Sequence, residues 1–553
     1  MPSHPDTVAS GIVRDVIEFG RLPWIRPLVQ AHANNFASVA SLFAGNPADP
    51  VAWRTTIARV QAAALRRPVP MAALIAAQQS RRGAPAEATR AAALLENPQT
   101  VAILTGQQAG LFGGPFYTLL KAITTVLLAR QVTADHGVPT VPVFWVDAED
   151  HDWDEVRTAH VLDRDFALAS VALDPLPGAG SRPVGGLCLD ELVGQSITAL
   201  EQLLSPTEFT PGLLAGLRRR YQPGETMSGA FAGWMEDLLG RHGLVVFESS
   251  DPAAKPFVAG LFDAELSDPG RTSRLARRAG HVMAELGHTP QIEPADESVC
   301  LFYVNADSRR PVRYRDGQYS IGDEVRTVDD LRREVAEHPD RFSPNVLLRP
   351  LVQDQLFPTV AYVAGPSELA YHAQLGTSYR ALGVEPPLLC SRASATLLDS
   401  AALRFLGRQE LPLEALEPQD ESALNQILER QLPPSLDEFF QQMTGLMSEQ
   451  AIGLKQTVSS IDPTLVGAID TTVDKVRDTL KSLQGKIIQA SKKKDDTLRR
   501  QFVRTRALAF PGGHPQERLL NVAFFMNRYG PALIDHLLDA LPALPQKHYV
   551  LAP

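Results

Sequence analysis

One stretch, residues 101–155, most constrains what this chain can fold into. An apolar run, Val101-Ala102-Ile103-Leu104, leads into a glycine-rich turn that begins Thr105-Gly106-Gln107-Gln108 and closes Gly113-Gly114. Helical spacing follows from about Pro115 to Gln131. A second apolar run, Val141 to Val146, then ends in a polar cluster, Glu149-Asp150-His151-Asp152 with Asp154 and Glu155. Strand, turn, helix and strand in that order predict a parallel βαβ unit. The polar residues fall after the carboxyl ends of both strands, the edge at which open parallel sheets bind ligands.

The turn has two readings. Glycines at 106, 110, 113 and 114 permit backbone angles and close approaches that a side chain forbids. Pro115 suits a first helical position, where its missing N–H loses no partner. The free N–H groups of the helix start would then favour a carboxylate or phosphate. The other reading is a tight strand-to-helix turn with nothing bound. The glycine spacing matches neither GxxxxGK[ST] nor GxGxxG, so neither a Walker loop nor the usual dinucleotide fingerprint is present. The polar cluster is open in the same way. His151 among carboxylates suits general acid–base work, His151 with Asp152 and Asp154 could ligate a metal, and acids at a helix start suit plain capping.

The rest of the chain repeats this device. Leu244-Val245-Val246-Phe247 is a third apolar run, followed by Glu248-Ser249-Ser250-Asp251. Thr359 to Val363 is a fourth, running into Gly365-Pro366-Ser367-Glu368, a turn and helix start with an acid in its first turn. Pro387 to Cys390 is a fifth, followed by Ser391-Arg392-Ala393-Ser394, where Arg392 either grips an anion bidentately or forms a surface ion pair. The segments between these runs read as insertions near 160–240 and 253–345. The first holds the Pro/Gly-rich loop Pro175–Gly186; the second holds a basic helix from Arg271 and short strands near Leu301–Val304 and Val312–Tyr314. Residues 1–98 read as a mainly helical lead-in.

From about Thr396 the pattern changes. Leu436, Phe440, Met443, Met447, Gln450 and Leu454 alternate spacings of four and three. After a turn at Asp462-Pro463 the pattern resumes at Ile469, Val473, Val476, Leu480, Leu483, Ile487 and Ala490. This predicts an antiparallel helical hairpin within residues 396–508, followed by C-terminal helices in 509–553. Lys492-Lys493-Lys494 reads as a solvated helix face, with nucleotide contact the lesser reading. With 553 residues, two to four structural units are expected. A net charge of −10 argues against a nucleic-acid-binding surface. No signal pattern or membrane-length apolar run is visible, and three cysteines without a CxxC pair fit a reducing cytoplasm and argue against structural zinc.

Five motifs in order carry a specific resemblance: TGQQAGLFGGPFYTLLKAI, VPVFWVDAEDHDWDEV, LLRPLVQDQLFPTVAYVAGPSELAYHAQL, SRASATLL and HPQERLLN. Together, over about residues 100–540, they resemble the bacillithiol-synthesis cysteine-adding enzymes of the BshC type. The resemblance implies an α/β fold: a Rossmann-like parallel core over 99–395, similar to class I synthetases and nucleotidyltransferases, with two inserted subdomains and a C-terminal coiled coil that forms a homodimer. It implies a carbon–nitrogen ligase that joins L-cysteine to glucosaminyl-malate in the last step of bacillithiol synthesis, with ATP as the expected energy source and no metal site expected, beyond magnesium that could accompany ATP. The HIGH-type position of the related synthetases reads Phe112-Gly113-Gly114-Pro115 here, without histidine, and no KMSKS loop is present. The expected catalytic residues are Asp150, His151 and Asp152. The expected substrate-binding set is Thr105, Gly106, Gln107, Gln108, Gly113, Gly114, Tyr117, Lys121, Asp154, Gly365, Glu368, Tyr371, Arg392 and Ser394. The malate carboxylates suit the glycine-rich turn and Arg392; the sugar hydroxyls suit Asp150, Asp152, Asp154 or Glu368; His151 or a carboxylate would take the amine proton. The other readings are a nucleotidyltransferase or synthetase-like enzyme on another carboxylate, and a non-catalytic sugar-acid binding protein.

Overall fold

The computed structural model describes residues 11–295, 298–431, 434–494 and 496–553, which divide into two compact units. The first runs to Leu397 and is completed by Gln516–Pro553; the second is Leu398–Pro515.

All five apolar runs are strands of one parallel sheet. They are β1 (Val101–Gln108), β2 (Thr140–Asp147), β3 (Val245–Glu248), β4 (Thr359–Ala364) and β5 (Leu388–Ser391). Their order is β5-β4-β1-β2-β3. Burial on both faces is why these strands read as continuous apolar runs instead of alternating ones. The chain builds outward from β1 through β2 to β3, then returns to place β4 on the other side of β1. The switch point therefore lies between β1 and β4.

Helix α1 (Phe116–His136) follows β1, is apolar nearly all round, and ends at Gly137 in a left-handed conformation. It extends one turn beyond the predicted Gln131. Its run of β-branched residues is a poor helix former. Burial offsets this, and Thr124 and Thr125 donate back to Leu120 O (2.7 Å) and Lys121 O (2.9 Å). On the other face, Arg82 ties the lead-in to the core: it pairs with Glu236 and Glu248, each at 2.7 Å, and donates to Val246 O at 2.8 Å.

The first insertion holds a hairpin, Thr158–Leu162 with Leu168–Ala172, and helices Leu192–Leu203 and Thr210–Arg220. The second holds a five-stranded antiparallel sheet flanked by Arg271–Glu285 and Val328–Glu337. The helical reading of the lead-in omitted a strand. Val13–Glu18 pairs antiparallel with Lys547–Leu551, which pairs parallel with Ser394–Leu397. No local pattern announces this three-stranded sheet, because its strands come from distant parts of the chain.

In the second unit, Pro434–Ser459 and Val466–Lys494 form the predicted hairpin, with Asp462 capping the turn at Thr464 N (2.9 Å). The packed seam is corrected. It runs through Phe440, Met443, Met447, Ala451 and Val458 against Val466, Ile469, Val473, Leu480 and Ile487. Leu454, Val476 and Leu483, expected in the seam, are exposed, as are Phe439, Leu446 and Leu465. A straight helix drifts against a seven-residue repeat, so a 4-3 pattern read across several turns slides off the true contact face. The side chains of Leu436 and of Lys492, Lys493 and Lys494 lie outside the described residues. Among the described residues, no helix is long and apolar enough to cross a membrane.

Candidate active site

The switch point is built around one buried ion pair. Strand β4 pairs with β1 only as far as Tyr362 opposite Leu104, whereas β1 continues beside β2 to Gln108. The gap beyond Leu104 is bridged by Lys121 of α1. Its Nζ donates to Gly106 O (2.7 Å) and Gln107 Oε1 (3.0 Å) and meets Glu368 Oε2 at 2.5 Å. Glu368 lies in the first turn of α2 (Pro366–His372), and it also accepts from Tyr362 OH (2.6 Å) and Gly365 N–H (2.7 Å). Burial opposes its ionisation, but the Lys121 ammonium and these hydrogen bonds hold the carboxyl below its ordinary range.

Beside this pair, Arg349 donates to Tyr371 OH (2.9 Å) and lies 3.9 Å from Asp147, the last residue of β2. Burial pushes the Asp147 carboxyl up to about 6, against the pull of Arg349, although 28% of its side chain stays exposed. A carboxyl poised there at the ligand edge of a parallel sheet is suited to accept a proton near neutral pH.

Several expected ligand-binding groups serve the frame instead. Glu368 has both oxygens engaged, so the sugar-hydroxyl role predicted for it is corrected to a structural one. Thr105 donates across to Val363 O (2.8 Å), and Tyr371 is held by Arg349. Ser394 donates to Glu517 Oε1 at 3.2 Å and lies 2.8 Å from His548 Nδ1. Arg392 is neither a surface pair nor a free cation: it is buried, donating to Glu517 (2.7 Å) and Ala393 O (2.6 Å), with its guanidinium 5.4 Å from the Tyr117 ring centre.

The anion cradle expected at the glycine-rich turn is also corrected. Gly113 and Gly114 donate to Gly110 O and Leu111 O, both at 3.1 Å, and Phe116 donates to Leu520 O at 2.8 Å. The C-terminal segment closes the turn further, as Val522 N–H and Asn521 Nδ2 donate to Gly114 O (3.0 Å) and Leu111 O (2.8 Å). The glycines answer a packing need: a Cβ on Gly110 would stand 2.8 Å from Gly114 Cα, and Gly114 itself has φ +70°. The turn therefore does not fit a nucleotide triphosphate.

The polar cluster divides its tasks. Glu149 is buried against Lys255. Asp152 caps the short helix after it, accepting from Glu155 N–H at 3.2 Å. Asp154 is 94% exposed, and among the described residues no three metal-ligating side chains converge. Asp150 and Glu155 both accept from Gln108 Nε2 at 2.7 Å. His151 Nδ1 lies 3.1 Å from Nη1 of Arg309, a residue of the second insertion.

Gln107, Gln108, Tyr117, Asp154, Glu155, His160 and Arg518 line a cavity of about 400 Å³ beside the turn. Gln107 Nε2 donates to Tyr117 OH at 3.2 Å. Burial, with Glu155 adding, pushes that phenol up to about 12 and keeps it neutral. Arg518 is exposed and has no ion-pair partner among the described residues. Sequence reasoning missed Arg518, Asp147, Arg349 and Arg309. A lone acid closing an apolar strand, and an arginine inside the apolar LLRPLV segment, were the available signals for Asp147 and Arg349; Arg309 has none. A larger cavity, about 510 Å³, opens at the opposite, amino-terminal edge of the sheet, between Arg66–Ala73 and Asp354–Thr359. Size does not make it the reaction site, since the switch point and its charged groups lie at the carboxyl edge.

Residues 16–393 match the family described as bacillithiol biosynthesis BshC, N-terminal Rossmann-like domain, and residues 395–553 match its C-terminal coiled-coil domain. The chain belongs to this family. It is 32% identical over 530 residues to a protein of Salinibacter ruber named "Putative cysteine ligase BshC", with 94% of this chain and 95% of the relative covered. Proteins of the same name from Koribacter versatilis and Symbiobacterium thermophilum are 31% and 33% identical, covering 81% and 82% of this chain and 83% and 84% of their own. The region matched to the family's Rossmann-like domain is thus the part that carries the switch point, Asp147 and Arg309.

Asp147 offers a direct check on the electrostatics. A carboxyl whose folded-state pKa is raised favours folding below its ordinary range, and that contribution is lost as pH rises toward 6. Asp147→Asn should therefore lose less stability than the wild type between about pH 4 and about pH 7, by up to about 2 kcal/mol. Urea denaturation at both values reads this; an unchanged drop would contradict it.

Proposed function

We propose that the carboxyl edge of this sheet joins an activated cysteine to the amine of glucosaminyl-malate, the amide-forming last step of bacillithiol synthesis. The observation that carries this reading is the cavity of about 400 Å³ in which Arg518, a cation without a partner among the described residues, faces Gln107, Gln108 and Tyr117. That combination suits a small polyhydroxylated acid: a guanidinium for a malate carboxylate, and amides and carboxylates for hydroxyls. The relatives' name supports cysteine as the second substrate.

In the step itself, the sugar amine's lone pair forms the new C–N bond at the cysteine acyl carbon. The activating group leaves with its bonding electrons, and the nitrogen's proton passes to Asp147, the carboxyl held near 6. Amide formation from a free carboxylate needs an activated acyl group, which ATP would supply. Because the closed glycine turn does not fit a triphosphate, no group in that turn is assigned to ATP.

Incubation of the purified protein with cysteine, glucosaminyl-malate and ATP should yield the cysteinyl amide by mass spectrometry, with ATP consumed only when both other substrates are present. Tight binding of the sugar acid without product would favour a non-catalytic binding protein. ATP–pyrophosphate exchange with another acid would favour a nucleotidyltransferase-like enzyme. Arg518→Ala should raise KM for glucosaminyl-malate roughly 10- to 100-fold, the loss of one charged hydrogen bond, with a smaller change in kcat.

The same reading makes the protein a homodimer through its helical hairpin. Phe439, Leu446 and Leu454 recur at spacings of seven and eight on one helix, and Leu465 of the turn is followed at eleven and seven by Val476 and Leu483 of the other helix, all exposed. Leu446 and Leu454 are 54% and 52% accessible, so this second apolar row is left without a cover within the unit. Light scattering should give a dimer mass for the wild type and a monomer mass for Leu446→Glu/Leu454→Glu. A dimer that survives both changes would place the interface elsewhere.

A further inference from the structure

We infer that His151 acts as a neutral hydrogen-bond donor through Nε2, and that Arg309 is the positioning residue that locks it in that form. This rests on the carboxyl edge being the reaction site. Arginine stays protonated in proteins and has no acceptor, so Arg309 Nη1, 3.1 Å from His151 Nδ1, must direct an N–H at that nitrogen's lone pair. A proton on Nδ1 would oppose it. The single ring proton therefore sits on Nε2. The competing arrangement, Nδ1–H donating to Asp150 Oδ1, would need a contact of 3.5 Å, longer than good hydrogen bonds of this kind. That oxygen already accepts His151's own backbone N–H at 2.8 Å, and the other oxygen of Asp150 accepts from Gln108 at 2.7 Å.

Arg309 cannot turn away. Its Nε donates to Ser343 Oγ and its Nη2 to Pro344 O, both at 3.0 Å. Its guanidinium sits 3.7 Å from the Phe302 ring centre, and its backbone N–H donates to Ser181 O at 2.7 Å. Burial works against its charge and lowers its pKa from the ordinary guanidinium value, and Glu149, Asp147 and Asp150 oppose that shift. The Nε2 of His151 makes no hydrogen bond among the described residues and is free to meet a ligand.

With Nδ1 occupied and Nε2 already protonated, His151 has no nitrogen left to accept the amine proton. It donates instead to an oxygen that bears or gathers negative charge, such as the acyl oxygen under attack. A preset donor needs no reorganisation as that charge develops.

Two-bond 1H–15N NMR on histidine-labelled protein, with His151 assigned by the signal lost in His151→Gln, reads the tautomer without any substrate. The expected wild-type pattern is a protonated Nε2 with an unprotonated Nδ1. Arg309→Gln should admit the Nδ1–H form, and Arg309→Lys should restore the original pattern. An Nδ1–H form in the wild type, or no change in Arg309→Gln, would overturn the inference whether or not ligation is observed. In the ligation assay, His151→Gln, whose amide N–H donates but takes no proton, should keep kcat within about tenfold, and His151→Ala should lose on the order of 100-fold. Equal losses in the two variants would overturn the donor role.

Discussion

The Lys121–Glu368 ion pair holds the site's geometry together. It joins the helix that leaves β1 to the helix that leaves β4, at the point where those strands part. Lys121 also grips Gly106 O and Gln107, and so sets where β1 ends and which way its last side chains point. Removing either partner would leave a buried charge uncompensated, at a cost of about 3–5 kcal/mol. The pair makes little sense as a device for stability alone, because two apolar groups of similar size would serve that end as well. It makes sense as a way to hold the crevice open and polar. Glu368 is ionised, Tyr362 and Tyr371 are turned inward, and Arg349 stands ready beside Asp147.

Around that frame, the candidate functional groups come from distant parts of the chain. Asp147 closes a core strand, Gln107 and Gln108 extend the neighbouring one, and Arg518 arrives with the C-terminal segment that returns to seal the glycine turn. Arg309 comes from the second insertion, whose sheet reaches the cluster at His151. The insertion thus places a buried cation against the imidazole of a core residue. A fold of this kind can change its chemistry by changing an insertion while the parallel sheet stays as it is.

How much of this was legible in the sequence follows from where the information resides. The five strands could be read because a doubly covered parallel strand is an unbroken apolar run, and each such run ended in polar residues. Lys121, Glu368 and Arg392 could be picked out as unusual, but not the partners that bury them. Whether a glycine-rich turn leaves its N–H groups free depends on what packs over it, and here that is Leu520 to Val522, some four hundred residues away. Arg309 sits in a strand of alternating polarity and is indistinguishable in sequence from its solvated neighbours Arg310 and Arg313. The hairpin's existence was plain from its apolar spacing; its seam was not, because two apolar rows of similar period share each helix.

The proposed function requires the sugar acid to meet the carboxyl edge of the sheet and not the larger cavity at the other edge. Hydrogen exchange read by mass spectrometry, with and without glucosaminyl-malate, separates the two edges. Binding at the carboxyl edge should slow exchange in peptides spanning Gln107–Lys121, Asp147–Glu155 and Glu517–Val522. Protection confined to Arg66–Ala73 and Asp354–Thr359 would contradict it and move the binding site to the opposite side of the fold.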